Sequence, residues 1–347
     1  MRPAFAGRKC SAAQAQGRRG ARRSVGEDRL QRRQRLPARA RRHPGRVEEA
    51  IAALNYRPNL SARNLRKGRT GVIALAVPEL DIPYFAELAR HVLTAAADHG
   101  WTVLIDQTGG GSEQERKAAS GIGDHMIDGL ILSPLALTAD HLAALAGLPI
   151  VLLGERIDHG LADHGPADHV MVDNVAAARE ITAHLIGLGR RRIAAIGSQR
   201  TPEGASARLR LAGYTAALAE AGIAYDDRLV APAPAWHRAG GAAAVRNLLT
   251  EGVRPDAVFC FNDTLALGAL RALHEVGLRV PEDVAVAGFD DIEDGRFSIP
   301  TLTTVAPDKE RIARLAVELL AGRLGPDRDS PPRELVTPHH LALRESA

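Results

Sequence analysis

Residues 61–69, SARNLRKGR, place Arg63, Arg66, Lys67 and Arg69 within a short stretch. Guanidinium and ammonium groups at that density bind phosphate oxygens and release the counterions around them. Ser61–Lys67 read as a short helix, with Gly68 as its C-terminal stop. Leu65 is the large apolar residue on it. Just upstream, Val47, Ala50, Ile51 and Leu54 fall at i, i+3, i+4 and i+7, one apolar stripe of a helix. Asn55 and Tyr56 close that helix, and Pro58 keeps Arg57 from continuing it. Downstream comes a buried-looking strand, GVIALAV, from Gly71. A basic helix joining a helical segment to such a strand suits a DNA-binding headpiece tethered to a sensor body.

Charge points the same way. The chain of 347 residues carries a net +4. Residues 1–45 hold thirteen Arg and Lys9 against Glu27 and Asp28, a net of +12, which leaves −8 on the rest. A basic end on an acidic body suggests a polyanionic partner at that end; the alternative is a basic arm that binds nothing specifically. The large apolar residues of this segment are Met1, Phe5, Val25, Leu30 and Leu36, and they share no helical face. A helix-turn-helix needs apolar residues spaced by three and four to give its helices a common core. The segment is therefore expected to be disordered as written, since it cannot bury enough surface to offset chain entropy.

The length allows two or three domains. Aromatic residues are only 3% of the chain against 45% hydrophobic, so Ala, Leu and Val must do most of the packing. No apolar run is long enough for a transmembrane helix, and the basic N-terminus lacks the apolar core of a secretory signal. Cys10 and Cys260 make no disulfide framework or metal motif. A cytoplasmic setting is expected.

Signals of catalysis are weak. Gly109–Gly111 lacks the Gly-Lys-Ser/Thr of a phosphate loop and reads as a turn. His159, His164 and His169 recur every five residues, which suits neither a helical face nor a zinc pair; they read as solvated loop histidines, and His339-His340 as equally bland. There is no Gly-x-Ser-x-Gly elbow and no evident nucleophile–base set. No enzyme, metal or cofactor is expected.

From Gly71 onward, β-rich runs alternate with amphipathic helices. GVIALAV precedes a helix with Phe85, Leu88, Val92 and Leu93 inward, then TVLID, a helical stretch, DGLILS and PIVLL. A second series holds RIAAIG, a helix ending at Ala221-Gly222, AVFCF, a helix ending at Gly277, and VAVAGFDD. Such alternation implies parallel sheets with helices on both faces, and two series imply two lobes. Ligands then bind beyond the carboxyl ends of the strands, in the cleft between lobes.

These motifs occur in one order: NYRPN, ARNLRKGRTG, PYFAEL, SARLRLAGY, FCFNDTLALGAL, GLRVPEDVAVAGFDD and IPTLTTV. Over residues 46–347 the chain resembles the lactose-repressor (LacI) family of bacterial transcription regulators. The resemblance implies an α/β, two-lobed sensor like the periplasmic sugar-binding proteins (type I), with two doubly wound parallel sheets over residues 70–347. It implies crossings between lobes near residues 172–176, 299–304 and 321–326. Residues 46–69 match the end of a helical DNA-binding headpiece and its hinge helix. The headpiece is truncated, because residues 1–45 do not match; a frameshift or wrong start before Arg46 is one explanation, and a headless protein is the other.

The family's DNA contacts fall here on Tyr56, Arg57, Asn59, Ser61, Arg63, Asn64, Leu65, Arg66 and Lys67, with Leu65 as a minor-groove wedge. Its effector contacts fall on Tyr84, Phe85, Asp173, Arg210, Trp236, Asn262 and Asp290. Arg210 offers a fork for hydroxyls or a carboxylate. Asn262 and Asp290 stand at strand ends and offer a donor and acceptors to vicinal hydroxyls. Trp236 could stack on a sugar or base. Phe85 is as readily core as cleft, Arg208 and Arg210 could form exposed ion pairs, and Asp263 suits a helix N-cap. Where many members have Arg-Gln-Pro, this chain has Ala306-Pro307-Asp308, so a polar effector contact is absent.

The resemblance implies a homodimeric, ligand-responsive regulator, a repressor, with operator DNA and a small sugar as partners and no membrane. The alternative is a headless sugar-binding sensor or receptor, for which ARNLRKGRTG would be idle.

Overall fold

The computed structural model describes residues 69–121, 127–138, 141–142, 147–154, 167–199 and 204–347. They belong to one compact unit, Leu60–Ala347. In chain order the elements are β1 (Val72–Val77), α1 (Pro83–Asp98), β2 (Thr102–Gln107), α2 (Ser112–Gly121), β3 (Gly129–Leu132), β4 (Ile150–Leu153), β5 (Asp168–Val172), α3 (Asn174–Gly187), β6 (Ile193–Ser198) and α4 (Ala205–Glu220). They continue with β7 (Val230–Pro232), α5 (Arg238–Thr250), β8 (Ala257–Cys260), α6 (Asp263–Glu275), β9 (Ala285–Phe289), α7 (Glu293–Arg296), β10 (Thr303–Pro307), α8 (Lys309–Arg323), β11 (Glu334–Thr337) and β12 (His339–Ala342).

The strands form two six-stranded sheets, ordered β11-β5-β4-β3-β1-β2 and β12-β10-β9-β8-β6-β7. Every described pairing is parallel except β10 with β12. Strand period sorts the side chains between two faces. On β1, Ile73, Leu75 and Val77 pack with Leu88 and Val92 of α1 and with Ile312, Ala316 and Leu320 of α8. The alternate Ala74 and Ala76 pack with Ala118, Leu130 and Leu132. In the second sheet, Ile193, Phe259 and Phe289 face α3 and α4, while Ile196, Val258 and Val286 face α5 and α6. Each lobe is thus doubly wound, as expected. Among the described residues no helix is long and apolar enough to cross a membrane.

Two glycines let α5 and α6 meet backbone to backbone. A Cβ on Gly268 would lie 1.9 Å from the Arg238 carbonyl oxygen, and one on Gly241 would lie 2.0 Å from that of Leu265. A third, Gly288, leaves room for a carboxylate: its Cβ would meet Asp263 Oδ1 at 2.1 Å.

Several expectations need correction. The first crossing falls at Asp173, as expected, but the second lies between β10 and α8, at residues 307–309, and the third at Pro338, between β11 and β12. Pairing of β10 with β9 holds residues 303–305 in the second lobe, and the apolar face of α8 is buried in the first, so the chain cannot cross earlier or at 321–326. Leu93 is 44% exposed rather than inward. His169 is no loop residue: it is buried in β5, and its Nε2 lies 2.8 Å from the Gly154 carbonyl oxygen. His159 and His164 lie outside the described residues.

Candidate functional site between the lobes

A cavity of about 230 Å³ opens between the lobes at the carboxyl ends of both sheets. The first lobe contributes the turn after β1, with Pro78 and Glu79, the first turns of α1, with Tyr84, Phe85 and Leu88, and then Leu135, Leu153 and Met171. The second contributes Asn174, Gln199, Ser206, Arg210, Trp236, Asn262, Phe289 and Asp290. One wall is mainly apolar and the other carries the polar groups, the usual composition of a small-molecule site.

Arg210 organises the polar wall. Its position on α4 buries it, 7% exposed, and its guanidinium carbon sits 3.5 Å from the Phe289 ring centroid and 5.3 Å from that of Trp236. Nε donates to Asn174 Oδ1 at 2.8 Å, and Nη1 donates to the Phe261 carbonyl. Nη2 stands 3.9 Å from Asp290 Oδ1. A buried guanidinium so held is a fixed donor with a matched anion beside it, not an exposed ion pair. Arg208, by contrast, is exposed. Trp236 is fixed by a bond from Nε1 to the Gly197 carbonyl at 3.0 Å and by an edge contact with Phe261. Tyr84 and Phe85, neighbours at the start of α1, meet edge to face at 5.3 Å and both line the cavity. Phe85 serves both readings: it lines the cavity and packs on the first lobe's core.

Asp290 follows β9 with φ 117, and Asp291 has φ 49, conformations that side-chain-bearing residues seldom adopt. The turn breaks strand alternation, so Phe289 and Asp290 line the same cavity. Asp291 points elsewhere. Burial opposes its charge, but hydrogen bonds from Arg344 and Arg296 prevail and hold its carboxyl below the usual range.

Asn262 lines the cavity, yet its side chain is also structural. Its Oδ1 caps α6 through the Leu265 amide at 2.9 Å, and its Nδ2 donates to the Trp236 carbonyl at 3.1 Å. The N-cap is therefore Asn262 and not Asp263. Asp263 is wholly buried, accepting from Thr304 Oγ1 at 2.6 Å and from the Ile292 amide at 2.9 Å. Burial, and then the Asp290 carboxylate nearby, push its pKa well up. Asp173 does not line the cavity: it is exposed and caps α3 through the Ala176 amide at 2.9 Å. Its neighbour Asn174 turns inward instead. Pro307 lines the cavity where a polar family residue was expected to be missing, while Asp308 caps α8.

Sequence reasoning missed Asn174, Phe289, Glu79, Gln199 and Ser206. Only the first had a signal, its place at the first crossing. Glu79 bonds His237 Nε2 of the other lobe at 2.7 Å. With Asp81 they are the described group of His and carboxylate donors within 4.8 Å of one another; they are partly or fully exposed, and the interlobe hydrogen bond accounts for their proximity. The expected DNA contacts, Tyr56 to Lys67, lie outside the described residues.

Two parallel-sheet lobes closing on a cavity with a buried arginine define a periplasmic-binding-protein-like sensor, and the model of the periplasmic binding protein-like domain matches residues 182–347. The ribose operon repressor of Escherichia coli K12 is 32% identical over 80% of this chain and 83% of its own length. A LacI-family transcriptional regulator of Sanguibacter keddieii is 47% identical, with a TM-score of 0.73 over 80% of this chain and 98% of that one. The transcriptional regulator CelR in complex with cellobiose is 32% identical, with a TM-score of 0.71 over 89% of this chain and 92% of that one. The chain belongs to the LacI family of transcriptional regulators. These relatives are transcription regulators rather than enzymes.

Proposed function

We propose that the chain is a homodimeric repressor that senses a small sugar between its lobes and binds operator DNA through residues 46–69. The observation that carries the reading is Arg210. Its buried guanidinium is stacked on aromatic rings beside Asp290, in a cavity walled by both lobes. Arg210, Asn262 and Asp290 supply donors and acceptors for ring hydroxyls, while Trp236, Tyr84 and Phe85 meet the apolar faces of a sugar. Relatives named for ribose and complexed with cellobiose favour that effector class. Exposed apolar side chains on both lobes, Leu93 and Ile105 on one, Phe297 and Ile299 on the other, favour a second copy of the chain as partner. The site of action is the cytoplasm, where operator DNA is.

Effector contact on both lobes changes their closure, and closure changes the spacing of the two hinge helices, so the DNA-competent population shifts by differential affinity. The test is operator selection from random DNA with the full chain, followed by titration of D-ribose and cellobiose on the selected site. A palindromic site whose retention responds to one sugar is expected, with Leu65→Ala weakening specific binding more than non-specific binding. Equal weakening of both would remove the wedge, and sugar binding without any specific DNA retention would leave only a headless sensor.

A further inference from the structure

We infer that Lys309 and Glu87 are positioning residues for the effector site: together they pin the backbone of residues 290–293 and so fix Asp290 against Arg210. The inference rests on the reading of the interlobe cavity given above. Lys309 opens α8 at the second crossing, and Glu87 lies on α1; both belong to the first lobe. The segment they grip belongs to the second. Lys309 Nζ donates to the Asp290 carbonyl at 2.6 Å and to the Asp291 carbonyl at 2.8 Å, and it pairs with Glu87 Oε2 at 2.7 Å. An ammonium has three donors, and all three are engaged. Glu87 Oε1 in turn accepts the Glu293 amide at 2.8 Å. The two side chains are 10% and 17% exposed, so water does not compete freely for these contacts.

What they hold is a backbone in an uncommon conformation. Two successive non-glycine residues, Asp290 and Asp291, have positive φ, and such conformations persist only where the surroundings over-determine them. From the second lobe the Asp290 amide reaches the Val305 carbonyl at 2.8 Å, Asp263 takes the Ile292 amide, and Arg344 and Arg296 hold the Asp291 carboxylate. Lys309 and Glu87 add a grip from across the lobes, and it falls on the main chain. Removing the ammonium takes the donor from the Asp290 and Asp291 carbonyls and from one Glu87 carboxylate oxygen, and the turn loses its main-chain grip from the first lobe. Asp290 then leaves its place 3.9 Å from Arg210. The same contacts tie the position of an effector-contacting carboxylate to the relative placement of the lobes.

The experiment compares wild type, Lys309→Met, Glu87→Gln, Asp290→Asn and the Lys309→Met/Asp290→Asn double variant, all as full chains. Hydrogen exchange without ligand reads the backbone. Both Lys309→Met and Glu87→Gln are expected to speed exchange at residues 292–293 at least tenfold, with β8 and β9 unchanged; unchanged exchange at 292–293 overturns the proposal. Calorimetry with D-ribose and cellobiose reads the site. Lys309→Met is expected to weaken sugar binding at least tenfold in the wild-type background and less than twofold in the Asp290→Asn background, because it acts through Asp290. An equal loss in both backgrounds is a merely structural effect and also overturns the proposal. If neither sugar binds wild type while exchange quickens as expected, the pinning stands and the sugar reading fails. If a sugar binds wild type and Lys309→Met alters neither readout, the positioning role fails and the sugar reading stands.

Discussion

Asp263 is a wholly buried carboxyl beside the cavity that does not line it. It sits between Thr304, the Ile292 amide and the space left by Gly288, and burial raises its pKa well above the ordinary value of 3.8. A folded pKa above the unfolded one means the folded state holds the proton more tightly. The stabilisation is then full below pH 3.8 and fades as pH rises through the folded pKa. Asp263→Asn, which cannot ionise, is expected to match wild type in acid and to gain in urea midpoint relative to it as pH rises. Asp263→Ala, which orphans the Ile292 amide, is expected to lose about 1–3 kcal/mol throughout. A parallel pH profile for wild type and Asp263→Asn would contradict the assignment. The sequence suggested this residue as a helix cap, because Asp favours caps; that it lies one residue inside the helix depends on where β8 ends. The same one-residue ambiguity explains Asp173 and Asn174. Residue type was legible there, but which of two neighbours turns inward is decided by the crossing between lobes.

Helices and strands divide by how they announce themselves. β1, β3, β4, β6, β8 and β9 are continuous apolar runs, which parallel strands covered on both faces require, and the sequence displays them. β5 does not. It begins with Asp168 and His169, both buried, and their partners lie far along the chain: Arg323 donates to Asp168 at 2.7 and 2.9 Å, and the Arg333 amide at 2.8 Å. No local pattern reveals a strand whose polar start is satisfied by a helix 155 residues away. β11 and β12 are equally short and half exposed, and so the third crossing was misplaced. Helix packing is better determined. Gly268→Val puts branched carbons where the Arg238 carbonyl oxygen already stands. It is expected to lower stability by about 1–3 kcal/mol through overpacking, read as a drop in thermal midpoint. An unchanged midpoint would mean that α5 and α6 can part without cost.

At the scale of the whole molecule, the described residues form two lobes of the same build joined by three crossings, and the cavity belongs to neither lobe alone. The polar wall rides on one lobe, and Tyr84 and Phe85 ride on the other. The two-lobed design was readable from strand–helix alternation, since each series must cover its own sheet. The exact crossings were not, because they depend on which sheet the last strands join. The central claim is that the interlobe cavity is the effector site, and the protein carries its own reporter for it. The chain has two tryptophans, Trp101 and Trp236, and Trp236 lines the cavity. In a Trp101→Phe variant, tryptophan emission comes from the cavity wall alone. Titration of D-ribose and cellobiose into that variant is the measurement to make. The account predicts a saturable change in emission with one of them, and at least a tenfold weaker response once Arg210→Lys removes the bond to Asn174 and the planar fork. A sugar that alters DNA retention without changing Trp236 emission, or with a response indifferent to Arg210→Lys, would contradict it.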